Sequence, residues 1–353
     1  MPKTDLKRKD LRAAVAAMHA GIERKEAGAS VLAVANSSDI LLLESAPSLD
    51  GSENPKEDSI FLLASITKPF MGTAALQLVE QGRLLYSDRV SQHVPEFACF
   101  GKQNITLWHL LTHTSGLADE AGEPVWAASG DSQAHLDATC RSFLHFAPGS
   151  EWEYCNTSWW IVGEIIRRLS GLPYPDYLRQ GIFEPLGMRD TGFDFAGEAA
   201  GRMMPVHDLE EHGIVSDEEK LHYFKSIQMP AGGLWSTALD LVKFGQAMLK
   251  GLAGNGTPVA SRAGIATMTR LHTAGIRERG SNNLAAYGLG WGKPGFHTNT
   301  IGSERAFGHG GATATLLWIE PDYDLAFVYL TNLWGMDNRV AHMCLNAVLA
   351  AMA

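Results

Sequence analysis

Four short apolar runs, two near each end of the chain, constrain its fold more than anything else in it. VLAVAN (31–36) and ILLLES (40–45) lie near the start; ATLLWIE (314–320) and LAFVYLT (325–331) lie near the end. Ser37, Ser38 and Asp39 separate the first pair and PDYD the second, so each pair reads as an antiparallel hairpin. Helical patterns dominate between them, clearest in WHLLTH (108–113), SWWIVGEIIRRLSG (158–171) and YPDYLRQGIF (174–183). The order predicts an α+β fold, an antiparallel β-sheet flanked by helices with an inserted mainly helical domain. Residues 1–82 plus 230–353 would form a discontinuous α/β domain, 83–229 the helical domain, and the cleft between them a site.

Helices are expected at three further places. Leu11, Val15, Met18 and Ile22 mark an amphipathic N-terminal helix. Phe70, Ala74 and Leu78, with Met71, Ala75 and Val79 on the next row, mark a central helix ended by Gly82. STALDLVKFGQAMLKG (236–251) reads as a helix with Ser236 as N-cap and Gly251 at its end, and a last helix covers about 337–352. The polar segment 47–58 and the charge-rich HDLEEHGIVSDEEK (207–220) read as loops, the latter exposed or lying over a cleft.

Charge narrows the function. Among 353 residues, Lys plus Arg is 29 and Asp plus Glu is 39, a net charge of −10, which argues against a nucleic-acid surface. The basic cluster Lys3, Lys7, Arg8 and Lys9 reads as a solvated helix start. AAVAAM (13–18) is too short for a secretion signal, and no run approaches the roughly 18 apolar residues of a membrane span, so a cytoplasmic protein without membrane attachment is expected. Cys99, Cys140, Cys155 and Cys344 form no C-x-x-C and read as buried free thiols.

Three stretches could carry chemistry. In FLLASITKPFMG (61–72), Lys68 lies three residues after Ser65, one turn along a helix start. A serine hydroxyl needs a base to become a nucleophile, and a lysine kept neutral can serve. Taken alone, the stretch reads more readily as a plain helix start. In WEYCNTSWW (152–160), Tyr154 and Asn156 project to the same side of an extended backbone and offer a proton carrier and a hydrogen-bonding amide. Alone, Asn156 also fits as a helix cap and Tyr154 as packing. In AFGHGGATATLLWIE (306–320), His309, Gly310 and Gly311 precede a strand whose N–H groups could face an oxyanion. Alone, this is also a glycine-rich turn with an incidental histidine.

Together the order S-x-x-K, Y-x-N and a glycine-containing third motif resembles the serine β-lactamase and penicillin-binding-protein superfamily. Y-x-N with H-x-G points to its class C β-lactamase-like branch. ITLWHLLTHTSGL (105–117), IFEPLGMRDTGF (182–193), PAGGLWSTALDLVKFG (230–245) and YGLGW (287–291) resemble the same family, so the likeness runs from about residue 30 to the end. The resemblance implies that Ser65 attacks an acyl carbonyl, that Lys68 and Tyr154 share the proton work, and that Asn156 bonds Lys68 and the substrate's acyl side. It implies an oxyanion hole from the backbone N–H groups of Ser65 and Ala312. His309 stands where β-lactamases and peptidases usually carry lysine, so with Gly310 and Gly311 it would meet substrate without a fixed cation.

That departure favours neutral esters, and a carboxylesterase acting on short acyl esters is expected, with no cofactor and no nucleic-acid or membrane partner. Trp152, Tyr154, Trp159 and Trp160 are candidates for lining an acyl site, or for core. The alternatives are a β-lactamase or D-amino-acid peptidase, an acyltransferase using the same acyl-enzyme, and a non-catalytic scaffold. An α/β-hydrolase would need G-x-S-x-G, which is missing. A metal site could be built on His109 and His113, four apart on one helix face, but no third ligand suggests itself.

Overall fold

The computed structural model describes residues 11–127, 131–210, 213–216, 222, 224–296 and 300–352. The basic cluster at residues 3–9 lies outside these.

Five antiparallel strands form the main sheet, in the spatial order Ile40–Ala46, Ser30–Ala35, Leu325–Thr331, Leu316–Glu320, Phe307–Gly310. Strands from the two ends of the chain meet at its centre, where Val31 pairs with Leu330 and Ala33 with Val328. The first hairpin is closed by Asn36, whose backbone N–H donates to the Asp39 carbonyl and whose side-chain oxygen accepts from Ser38 and Asp39.

Every residue of the two central strands is buried because the sheet is covered on both faces. On one face Leu32, Val34, Phe327 and Tyr329 meet the helices Arg12–Glu23 and Arg339–Ala350 through Met18, Ile22, Val340 and Leu345. On the other, Val31, Ala33, Val328 and Ile319 face the helix Ala238–Ala253. That helix approaches closely at Gly245, where a Cβ would press on Ala326 and Ile319 at 2.8 and 2.9 Å.

The helix Thr67–Glu80 is buried along most of its length; it packs on the helices Ser158–Ser170 and Arg262–Thr269 and touches Ala238–Ala253 through a ring pair. Phe70 stacks on Phe244 with centroids 4.1 Å apart and meets Phe183 edge-on at 5.8 Å. The four thiols are free; Cys99 is half-buried and the other three are buried. No helix among the described residues is long and apolar enough to cross a membrane.

Three local expectations need correction. The helix expected over 236–251 begins at Ala238, capped by Thr237, whose hydroxyl accepts from Asp240 N at 3.2 Å. Ser236 is instead a strand residue paired with Phe61, and the helix runs past Gly251 to Gly254, which takes the left-handed φ of +85°. Within 207–220, His207–Glu210 pairs with Gly213–Ser216, and His207–Asp208 with Leu333–Trp334. Backbone hydrogen bonds to an available edge make these strands, with no apolar alternation to announce them; residues 217–220 lie outside the described ones. Finally, the helix at 108–113 spans Leu107–Leu111 and ends before His113, whose φ is +59°, so His109 and His113 do not share a helix face.

Candidate active site

The site is assembled where the strand Phe61–Leu62 gives way to the helix Thr67–Glu80. Ala64, between them, has φ +46°, a left-handed angle that L-residues rarely adopt. It turns the chain sharply into a 3₁₀ turn, Ala64–Ile66, and sets Ser65 at the start of the helical run. An N–H at this position has no acceptor within the helix, which leaves Ser65 N available to an incoming oxygen.

Lys68 is fully buried. Its Nζ lies 3.0 Å from Ser65 Oγ, 2.7 Å from Asn156 Oδ1 and 2.9 Å from the Ala231 carbonyl oxygen. The last two atoms only accept. A neutral amine has two N–H groups, and spending them there turns its lone pair toward the Ser65 hydroxyl. Burial pulls Lys68 down to about 7, against the opposing charge of Asp119. The lysine is thereby poised to exchange a proton with Ser65 near neutral pH.

Tyr154 and Asn156 come from an irregular segment with alternating directions. Cys155 between them is buried, and its N–H donates to His113 Nδ1 at 3.0 Å. The Tyr154 ring stacks on His113 at 4.5 Å and has Lys68 Nζ 4.7 Å from its centroid. Burial pushes its hydroxyl up, and a hydrogen bond with Ser65 partly offsets that. His113 is pushed well below its ordinary value, chiefly by burial, then by Lys68 and His309. Neither histidine of the pair considered for a metal points to a shared centre: His109 Nδ1 bonds Thr106. Among the described residues no group of three or more His, Cys, Asp or Glu side chains could hold a metal ion.

The third motif is pinned beside Ser65. Thr313 and Thr315 donate their hydroxyls to the Leu62 and Leu63 carbonyls at 2.8 and 3.2 Å. Gly311 lies so close that a Cβ would collide with the Leu63 carbonyl oxygen and Thr315 Oγ1. Ala312 therefore sits in a turn tied to the two residues just ahead of Ala64 and Ser65, with Gly335 N donating to its carbonyl at 2.8 Å. Gly310 packs against Asn338. His309 is buried, with Nδ1 2.7 Å from the Gly310 carbonyl oxygen and Nε2 2.7 Å from the Tyr287 hydroxyl.

A cavity of about 350 Å³ adjoins Asn156, lined by Asp119, Gly122, His135, Trp160 and Met229. Trp160 stacks on His135 at 4.9 Å. Of the tryptophans singled out in the sequence, Trp160 lines this cavity, Trp159 is fully buried core, and Trp152 packs with Tyr287 and Phe296 around Tyr154.

The structure thus gathers Ser65, Lys68, Tyr154 and Asn156 into one hydrogen-bonded group and brings the 309–312 segment alongside. Sequence reasoning missed Asp119, Ala231 and the Tyr287–His309 contact. Asp119 follows HTSGLA with no distinguishing spacing, and Ala231 acts through its backbone. Tyr287 lies in YGLGW, a stretch singled out for family likeness but not for a role.

Residues 11–350 match the family model described as Beta-lactamase. The chain is 30% identical over 297 residues to penicillin-binding protein 4 of Amycolatopsis lactamdurans, covering 78% of this chain and 72% of that protein. It is 36% identical over 170 residues to esterase EstB of Burkholderia gladioli, 43% of each chain. Among solved structures, EstCE1, described as a hydrolase with promiscuous acyltransferase activity, superposes with a TM-score of 0.82. That likeness covers 97% of this chain and 99% of the other at 18% identity, and shows a shared fold.

Proposed function

The chain belongs to the β-lactamase superfamily of serine hydrolases, and from that membership we propose that it cleaves short acyl esters through a covalent acyl-enzyme on Ser65. The observation that carries this is the Lys68 amine, fully buried and 3.0 Å from Ser65 Oγ, with acceptor-only partners for two of its hydrogens.

Neutral Lys68 takes the Ser65 proton as Oγ attacks the ester carbonyl. The N–H groups of Ser65 and Ala312 receive the developing oxyanion. Tyr154, hydrogen-bonded to Ser65 and beside Lys68, returns a proton to the leaving alkoxide as the C–O bond breaks. Water then attacks the acyl-enzyme carbonyl and gives a proton to the same pair; the acyl–Oγ bond breaks, the pair returns that proton to Ser65 Oγ, and the acid leaves. The apolar cavity beside Asn156 suits a short acyl chain.

Ester preference over β-lactams and peptides is supported at His309. Both ring nitrogens lie within hydrogen-bonding distance of protein partners, and an imidazole is not the permanent cation that a lysine would offer a substrate carboxylate. Acyl transfer is a second reading of the same intermediate, favoured by the fold shared with EstCE1. It differs only in whether an alcohol replaces water.

The test offers p-nitrophenyl acetate, butyrate and octanoate and a chromogenic cephalosporin to the protein and to Ser65→Ala. Ester turnover that vanishes in the variant, with an acyl adduct on Ser65 by mass spectrometry, is the expected result. Turnover surviving the substitution, or cephalosporin hydrolysis faster than ester hydrolysis, overturns the proposal. Added alcohol that accelerates loss of the adduct and yields a new ester shows the transfer reaction.

A further inference from the structure

Asp119 opens a short 3₁₀ turn, Asp119–Ala121, after the HTSGLA stretch, and its carboxylate is directed at the segment carrying Asn156. Oδ1 accepts from the backbone N–H of Asn156 and, at 2.9 and 3.2 Å, from Thr157 N and Oγ1. Oδ2 accepts from Asn156 Nδ2 at 2.7 Å. An ionised carboxylate has about four acceptor sites, so these four donors satisfy it.

This arrangement settles which way the Asn156 amide faces. A carboxylate requires the NH₂ end, and the Lys68 amine, which must donate to it, requires the oxygen end. With the amide reversed, NH₂ would meet the amine and the amide oxygen would meet the carboxylate, two repulsive contacts. Asn156 Oδ1 in turn occupies one Lys68 N–H and helps leave the lone pair for Ser65.

Charge points the same way. The titratable groups facing Lys68 are Asp119, Tyr154, Cys155 and His113. Burial pushes Tyr154 and Cys155 up and His113 down, so all three are neutral near pH 7. Asp119 is left as the charged neighbour among them.

We propose that Asp119 is a positioning residue of this site: it fixes Asn156 with Oδ1 on Lys68 and places a carboxylate one side chain away from the Lys68 amine. The inference rests on the acyl-enzyme reading above. No spacing rule in the sequence marks this aspartate, and its action on Ser65 is relayed through two other side chains.

The test compares the pH dependence of kcat/KM for p-nitrophenyl butyrate in the full chain, Asp119→Asn and Asp119→Glu, with thermal melts of each. Removing a negative charge favours the neutral amine, so in Asp119→Asn the rising acid limb should move to lower pH by about one unit. The plateau should fall by about tenfold as Asn156 loses its anchor. Asp119→Glu, which keeps the charge, should bring the limb back toward its original position. A limb unmoved in an Asp119→Asn protein that melts normally overturns the proposal, whatever happens to the plateau. If that variant does not melt cooperatively, Asp119→Ser reads the same limb with the same two outcomes. Ser65→Ala runs alongside: turnover persisting there refutes the nucleophile, whereas a Ser65-dependent activity with an unmoved limb refutes Asp119 alone.

Discussion

The Tyr287 hydroxyl lies 2.7 Å from Nε2 of His309, and Nδ1 of the same ring donates to the Gly310 carbonyl at the same distance. A carbonyl can only accept, so Nδ1 carries a hydrogen, while Nε2 either accepts the hydroxyl proton or, in the protonated ring, donates to the hydroxyl oxygen. The imidazole at this position is therefore not a permanent cation, and both of its nitrogens face protein partners.

His309→Lys should therefore restore attraction for a substrate carboxylate. The ratio of kcat/KM for an anionic cephalosporin to that for p-nitrophenyl butyrate is expected to rise by about tenfold, or roughly 1.4 kcal/mol of charge pairing. Steady-state kinetics on the two substrates checks this, and an unchanged ratio would show that ester preference is set elsewhere.

The pH profile should follow Lys68. Burial lowers it to about 7, so below that pH the amine holds a third hydrogen and has no lone pair for Ser65. kcat/KM should climb about tenfold per pH unit on the acid side and level off above pH 7. Tyr154, pushed upward by burial, should give no descending limb below about pH 9. Lys68→Arg keeps a cation that cannot be deprotonated, so activity should fall by about 10³-fold at every pH in this range.

Gly311→Ala should damage catalysis without touching a catalytic side chain. The added Cβ meets the Leu63 carbonyl oxygen and Thr315 Oγ1, so the turn carrying Ala312 must move away from Ser65. Misplacing one oxyanion donor is expected to cost about 10²-fold in kcat. A normal kcat in a correctly folded Gly311→Ala protein would place the oxyanion donor elsewhere.

Phe70 tests the packing under the site. It is fully buried, stacked on Phe244 and edge-on to Phe183, two residues after Lys68. Phe70→Ala should cost about 3–5 kcal/mol of stability, read from the urea midpoint. Phe70→Leu, which retains most of the volume, should cost less and recover most of the ester activity.

The sequence by itself determined the main strands and singled out the residues proposed to react. VLAVAN, ILLLES and LAFVYLT are strands because short apolar runs bounded by turn residues have few other stable forms, and both faces of the sheet are covered. Ser65, Lys68, Tyr154 and Asn156 were legible because their order and short spacings are unusual in combination. Local boundaries were less so: Thr237 displaced Ser236 as the cap because pairing with Phe61 had already claimed Ser236 for a strand.

What tertiary structure decided is everything that depends on distant parts of the chain sharing one volume. Lys68 loses its charge near neutrality because surrounding elements exclude water from it, which no spacing encodes. Asp119 reaches Asn156 across 37 positions, and Tyr287 reaches His309 across 22. Hydrogen bonds act over about 3 Å, while sequence separation carries no distance until the chain has folded.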